Sequence, residues 1–194
     1  MRQAFDDVKQ FMQVGGQEVL DTPTMPEIPG DGSEFHDIAS ELEGMALRLK
    51  TLGGLGALRL RLIVEEVGEL ASAIAEGDAV EAADALADIS YVTVGGALAF
   101  GLPLPEVWEA VQASNMTKFP PCPACKVDLA DAMLLDESLY VQDAMHMLVD
   151  RKSCKTCGGL GRVAIKDANG KVLKPHGWTK PDIAKVLAAS AKEA

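Results

Sequence analysis

The sequence predicts an all-α protein, and three observations carry that prediction. Of the 194 residues, 48% are hydrophobic, which is enough for a folded core and excludes wholesale disorder. Aromatic residues make up only 5%, and residues that favour strands are sparse beside Ala, Leu, Glu and Asp. Apolar residues recur at helical spacing in segments that Gly and Pro separate. We therefore expect one helical domain with room for a small insert.

The first two predicted helices are separated by a proline-rich loop. Apolar spacing predicts a helix over residues 3–14, and two glycines directly after it end the pattern. Residues 21–32 contain three prolines and are expected to form a loop. Ser33 is predicted to cap a second helix over residues 33–50, because its hydroxyl can accept a hydrogen bond from the first turn.

Three further helices are predicted in the middle of the chain, over residues 57–76, 79–100 and 106–114. Gly77 suits the position after a helix C-terminus, where a left-handed residue is common. Asp78 suits the N-cap of the helix that follows. A terminal helix is predicted to begin near residue 181, after a proline.

The charge of the chain excludes one broad class of partner. Lys and Arg number 18 against 29 Asp and Glu, giving a formal net charge of −11. Binding a nucleic-acid polymer needs a basic surface, so such a partner is not expected. The first ten residues lack the apolar run of a secretory signal, and residues 89–102 are too short and mixed to span a bilayer. We expect a cytoplasmic protein without a membrane partner.

Six acidic residues fall on two adjoining predicted helices: Glu65, Glu66 and Glu69 on one, and Glu81, Asp84 and Asp88 on the next. At about 100° per residue, the two sets lie within arcs of about 100° and about 60°. Like charges beside apolar neighbours repel one another and resist desolvation. A divalent cation removes both costs, and Mg²⁺ prefers carboxylate oxygens. The alternative interpretation is an ordinary solvated acidic face.

Four cysteines form two Cys-x-x-Cys pairs, Cys122 with Cys125 and Cys154 with Cys157. Four thiolates at this spacing indicate a closed, structural Zn²⁺ site, with an iron site or a redox dithiol as the lesser alternative. The pairs bracket a segment of changed composition that includes a short predicted helix over residues 137–149. We predict a zinc-binding insert over residues 120–161 and a helical body over residues 1–119 plus 162–194.

The acidic pattern resembles a known family, the MazG-like branch of the all-α nucleoside triphosphate pyrophosphohydrolases, to which phosphoribosyl-ATP pyrophosphohydrolase is related. The family pattern is Glu-Glu-x-x-Glu on one helix and Glu-x-x-Asp on the next. Glu65, Glu66 and Glu69 match the first part, and Asp88 matches the last Asp. Ala85 stands where the family has its Glu, so the match is incomplete at that position.

Two more segments extend the resemblance towards the C-terminus. SNMTKF, at residues 114–119, is similar to the family's Asn-x-x-Lys ending. NGKVLKPHGWTKPDI, at residues 169–183, is similar to its C-terminal segment. The resemblance implies that Asn115, Lys118 and Lys174 bind substrate, whereas without it the two lysines would be interpreted as solvated surface residues.

The resemblance also implies a fold and an activity. The fold is a four-to-five-helix bundle of the all-α NTP pyrophosphatase type, usually assembled as a homodimer or homotetramer. The activity is hydrolysis of a nucleoside triphosphate, ribo or deoxy, to the monophosphate and pyrophosphate with Mg²⁺ or Mn²⁺. The implied metal ligands are Glu65, Glu66, Glu69 and Asp88, with Asp84 as a replacement for the missing Glu.

Two alternatives stay open at this point. Either Glu65 or Glu66 orients or deprotonates the attacking water instead of binding metal alone. The departure at Ala85 favours a second function, in which a catalytically weakened family member binds nucleotide or contacts a partner through its zinc insert. Trp178 is expected to stack on a base or, more commonly for a lone Trp, to pack in the core.

Overall fold

A computed structural model describes residues 1–28, 30–124, 154–176 and 178–190. Six helices lie in the described residues: α1 (Arg2–Val14), α2 (Ser33–Leu52), α3 (Gly54–Glu76), α4 (Ala79–Ala99), α5 (Leu104–Met116) and α6 (Ile183–Ser190). The only β pairing found in these residues consists of two isolated bridges. The predicted all-α class is confirmed, whereas the predicted helix over residues 137–149 lies outside the described residues.

The chain divides into two compact units. Unit 1 combines Met1–Val19 with Pro105–Lys192, and unit 2 is Leu20–Leu104. Unit 1 therefore holds α1, α5, α6 and the described cysteines, while unit 2 holds α2, α3 and α4. The division into a helical body over residues 1–119 plus 162–194 and an insert over residues 120–161 stays a prediction.

Helices α2 and α3 of unit 2 form an antiparallel pair. Gly53 joins them directly and has a φ of 68°, which favours glycine. At the other end, a Cβ on Gly32 would lie 2.9 Å from the carbonyl oxygen of Ala75, so the two backbones approach closely there. A Cβ on Gly68 would lie 3.6 Å from that of Leu42, near the middle of the pair.

Helices α3 and α4 form a second antiparallel pair, joined as the sequence predicts. Gly77 adopts the left-handed conformation with φ 68° after α3. The side chain of Asp78 accepts hydrogen bonds from the backbone amides of Val80 and Glu81, at 2.9 and 3.1 Å. Both predicted ends are therefore confirmed.

The predicted cap at Ser33 is wrong. Gly32, with φ 81°, is the N-cap of α2, and Ser33 is the first helical residue. The amide of Ser33 donates to Oδ1 of Asp31 at 3.1 Å, so an aspartate two residues earlier satisfies this amide. Helix α3 also begins at Gly54, three residues before the predicted start, because Gly53 alone makes the turn.

The core of unit 1 is aromatic. Phe119 is completely buried, and its ring centroid lies 5.0 Å from that of Phe11 on α1. The indole Nε1 of Trp108 on α5 donates to Oδ2 of Asp7 at 2.8 Å, which joins α5 to α1. These contacts bring the N-terminal helix against the segment that follows α5.

The contacts within unit 2 involve small side chains and leave large apolar ones exposed. Alanines are buried on all three helices, whereas Tyr91 is 80% and Leu98 75% exposed on α4. Large apolar side chains exposed to this extent favour burial against another surface. Among the described residues, no single helix is both long enough and apolar enough to cross a membrane.

Candidate functional site

The predicted carboxylates lie on the facing helices α3 and α4 of unit 2. Glu65 and Glu66 are half-buried, whereas Glu69, Asp84 and Asp88 are exposed. Asp88 of α4 acts electrostatically on Glu66 of α3, so acids of the two paired helices lie within interaction range.

The electrostatics of Glu66 show that these acids are close enough to interact. Burial raises the pKa of Glu66, and neighbouring negative charges raise this pKa further. The charges that act on it belong to Glu69, Asp88, Glu65 and Asp84, in decreasing order of effect. Four of the predicted metal ligands therefore lie close enough to Glu66 to affect its pKa. Among the described residues, only the cysteines form a group of three with ligand atoms within 4.8 Å of one another, so the assignment of these acids as metal ligands stays a prediction. Glu81, the sixth acid of the sequence pattern, is not among the groups that act on Glu66.

The position of Ala85 explains how the chain departs from the family pattern. Ala85 is only 3% exposed, because it packs in the contact of α4 with the rest of unit 2. Asp84, one residue earlier, is exposed and acts electrostatically on Glu66. The second acid of α4 therefore approaches the cluster from the adjacent position of the helix.

A cleft of about 780 Å³ runs along α2 and α3, beside the glutamates of α3. Its walls carry both signs of charge: Lys50 and Arg61 are basic, and Glu65, Glu66 and Glu69 are among the acids. A concave surface with convergent polar groups is the usual form of a small-molecule site.

Two arginines of α3 were missed by the sequence reasoning. Nη1 of Arg61 forms an ion pair with Oε1 of Glu65 at 2.9 Å, and the spacing of four residues was a signal for this pair. Nε of Arg59 is buried without a hydrogen-bond partner, and Gly95 on α4 leaves room for its guanidinium. No pattern in the sequence indicates this burial.

The residues predicted to bind substrate cluster in unit 1. Nζ of Lys118 donates to Oδ1 of Asn115 at 2.8 Å, so these two are in direct contact. Nζ of Lys174 lies 4.1 Å from the centroid of the Trp178 ring, and that of Lys118 lies 5.8 Å from it. The structure therefore brings both predicted lysines to one indole ring, and Asn115 is hydrogen-bonded to one of them.

Three of the four cysteines also come together in unit 1. Their Sγ atoms lie within 4.8 Å of one another: Cys122, Cys154 and Cys157. The amide of Gly161 donates to Sγ of Cys157 at 3.2 Å, as expected for a thiolate held in a knuckle. Cys125 lies outside the described residues. Three close thiols fit a metal such as zinc, and a fourth ligand from Cys125 would complete the set.

One comparison with known proteins finds a match. Residues 36–115 match the family model described as phosphoribosyl-ATP pyrophosphohydrolase. The chain has no match among curated proteins or among solved structures. The matched segment contains the five carboxylates and ends at Asn115. It confirms the resemblance to the MazG-like all-α fold and supports pyrophosphohydrolase activity on a nucleotide-type substrate.

Proposed function

We propose, on the premise that residues 36–115 have the fold of the all-α pyrophosphohydrolases, that the protein is a Mg²⁺-dependent nucleoside triphosphate pyrophosphohydrolase. In this reaction the oxygen of water bonds to the α-phosphorus, the bond from that phosphorus to the bridging oxygen breaks, and pyrophosphate leaves. The observation that carries the proposal is that four other acids of α3 and α4 raise the pKa of Glu66, within the segment that matches the family model.

The carboxylate cluster fits the metal that this chemistry needs. Four acids raise the pKa of Glu66, so its charged form is disfavoured in the metal-free protein, and a divalent cation would offset this repulsion. The proposed ligands are Glu65, Glu66, Glu69, Asp84 and Asp88. Bound there, Mg²⁺ or Mn²⁺ would neutralise phosphate charge and lower the pKa of a coordinated water.

The glutamates at the start of the motif have different surroundings. One oxygen of Glu65 is engaged by Arg61, while Glu66 is flanked by acids. Either carboxylate is able to accept a proton from the attacking water. The ion pair fixes the side chain of Glu65, which favours it for orienting that water.

The proposed substrate-binding residues are Asn115, Lys118 and Lys174, as the family resemblance implies. Lys118 and Lys174 supply positive charge, and Asn115 holds the ammonium group of Lys118. Neither lysine has a carboxylate within 4.0 Å in the described parts of the chain, so both ammonium groups are available to an anion. The chain has a net charge of −11, which repels a polyphosphate. In this proposal, Mg²⁺ and the two lysines supply the positive charge that offsets this repulsion.

A homodimer or homotetramer is the proposed assembly. The exposed apolar residues of α4, including Val80, Tyr91 and Leu98, favour burial against another copy of the chain. The proposed partners otherwise consist of the nucleotide alone, without a membrane or a nucleic-acid polymer. A cytoplasmic location stays a prediction.

One observation favours the second candidate function, a binding or interaction protein with weakened catalysis. At Ala85 the family's acid is replaced by a side chain that is buried and cannot bind metal. In this alternative the cysteine cluster serves as the interaction module. Substantial turnover would argue against it.

The test is pyrophosphate release from a panel of ribo- and deoxynucleoside triphosphates with Mg²⁺ or Mn²⁺. We expect at least one substrate to be turned over, and Glu69→Gln to abolish turnover while helicity is unchanged. Glu41→Gln is the matched control, because Glu41 is an exposed acid on α2 outside the cleft. Unchanged turnover in Glu69→Gln would refute the catalytic assignment.

A further inference from the structure

Trp178 is the common contact of two lysines that are distant in the sequence. The ammonium groups of Lys174 and Lys118 lie 4.1 and 5.8 Å from the centroid of its ring. Both distances are within the range over which the negative face of an indole attracts a cation. Two like charges are thereby held near one ring, although they repel each other.

Lys118 is fixed by further contacts. It is half-buried, and its Nζ donates to Oδ1 of Asn115 at 2.8 Å. The same Nζ lies 5.5 Å from the centroid of the Phe11 ring. An ammonium group held by an amide oxygen and two rings has lost much of its rotamer freedom before any ligand binds, which lowers the entropic cost of binding.

The ring of Trp178 is itself anchored. Its Nε1 donates to the carbonyl oxygen of Ser114 at 3.1 Å, and its backbone amide donates to that of Pro175 at 3.1 Å. The hydroxyl of Ser114 donates to the carbonyl oxygen of Thr179 at 3.1 Å. The C-terminal segment is thus tied to the end of α5, next to Lys118.

We propose that Trp178 is a positioning residue that gathers Lys118 and Lys174 into one binding site for the phosphate chain of a nucleotide. It acts through the two ammonium groups and does not bind the phosphates itself. The inference deepens the proposed function and rests on it for the identity of the nucleotide. Neighbouring cations that lack a carboxylate partner within the described residues favour an anion with several adjacent charges, such as a diphosphate or triphosphate.

This role differs from base stacking in what it predicts. If the ring of Trp178 stacked on a base, its removal would weaken binding of a nucleotide but not of inorganic tripolyphosphate, which has no base. If the ring positions the lysines, both ligands are weakened by the same factor. Inorganic tripolyphosphate is therefore the decisive probe.

The experiment measures tripolyphosphate affinity by calorimetry, in magnesium-free buffer without chelator, together with KM and kcat for the best nucleotide. We expect Trp178→Leu to weaken tripolyphosphate binding by about 5- to 30-fold, which corresponds to the loss of two cation–π contacts. KM should rise by a similar factor with kcat little changed, because the lysines bind substrate and transition state alike. Trp178→Phe keeps a ring and should restore part of the affinity.

Trp108→Phe is the matched control. Trp108 is the other tryptophan of the chain, lies in the same unit and donates its Nε1 to Asp7. Its replacement should leave tripolyphosphate affinity unchanged. Circular dichroism and thermal melting establish that each variant is folded.

A double-variant cycle keeps the inference testable if Trp178→Leu is unstable. Trp178→Phe and Lys174→Met should combine to less than the sum of their separate effects, because the ring acts through Lys174. Additive effects, unchanged tripolyphosphate affinity in Trp178→Leu, or a loss confined to nucleotides would each overturn the inference.

The outcome is separable from that of the proposed function. If no nucleotide is hydrolysed but tripolyphosphate affinity still depends on Trp178, the proposed function fails and the binding site stands. If nucleotides are hydrolysed and Trp178→Leu behaves as the unmodified protein, the inference fails and the proposed function stands.

Discussion

Replacing Glu66 with Gln should change stability in opposite directions with and without magnesium. In the metal-free protein, Glu66 is repelled by four neighbouring carboxylates and its charge is partly buried. The Gln variant is relieved of both costs. The Glu66–Glu69 pair, three residues apart on a helix, contributes about 0.2–0.5 kcal/mol of destabilisation. Burial and the acids of α4 add to this. We therefore expect the free energy of unfolding of the variant to be about 0.5–1 kcal/mol higher, which is the size of typical surface charge-pair effects.

The assay is thermal unfolding followed by circular dichroism. A gain of this size raises Tm by about 1–4 °C for a chain of this length. In the unmodified protein, Mg²⁺ at 100 times its Kd should add about 2.7 kcal/mol, or about 5–11 °C. In Glu66→Gln, most of that magnesium-dependent increase should disappear because a ligand is lost.

Glu41→Gln controls for the general effect of removing one negative charge, and it should keep the full response to Mg²⁺. A Tm for Glu66→Gln below that of the unmodified protein without metal would refute the repulsion argument. An undiminished increase with Mg²⁺ would refute the assignment of Glu66 as a ligand.

Three further predictions concern the other groups of the two sites. Asp84→Asn should lower turnover at least about tenfold with little change in Tm, because a proposed metal ligand is lost. Ala85→Glu should lower Tm, because it places a charge at a position that is 3% exposed. An Ala85→Glu enzyme that is both stable and faster would contradict both expectations. Cys122→Ser should reduce bound zinc, measured by elemental analysis, and lower Tm, since Cys122 is 1% exposed and its amide donates to Gly161 at 2.8 Å; full zinc content would contradict the site. Because the pKa of Glu66 is raised above its usual 4.5, its contribution to stability is complete below about pH 4.5 and is lost as pH rises through the folded-state pKa. In urea titrations without metal, Glu66→Gln should therefore gain stability relative to the unmodified protein as pH rises, and a constant difference would contradict the shift.

Most helices could be predicted because local chemistry determines their ends. Gly77 and Asp78 act as the predicted stop and cap, since a left-handed glycine and a capping carboxylate need no distant partner. The prediction at Ser33 is wrong because Asp31 and Ser33 both carry side-chain oxygens that can cap the first turn of α2. Asp31 supplies the acceptor, and the amide of Ser33 donates to it. Local patterns do not decide between such competitors.

The residues of the candidate sites could be proposed from the sequence, whereas their environment could not. Helical spacing places Glu66 on the acidic face of α3 and Asp88 on that of α4. The burial that raises the pKa of Glu66 depends on how the helices pack, which spacing does not give. Trp178 was expected to stack on a base or join the core, and its contacts with Lys118 and Lys174 follow from long-range folding that no spacing encodes. The same holds for the buried Nε of Arg59.

The position of isotope after hydrolysis in ¹⁸O-labelled water tests the central claim most directly. A nucleoside triphosphate that the protein turns over is incubated with Mg²⁺, and both products are examined by mass spectrometry or ³¹P NMR. Water attacks the α-phosphorus in our account, so one ¹⁸O atom should appear in the nucleoside monophosphate and none in the pyrophosphate. Label in the pyrophosphate, or release of inorganic phosphate with a nucleoside diphosphate, would contradict it.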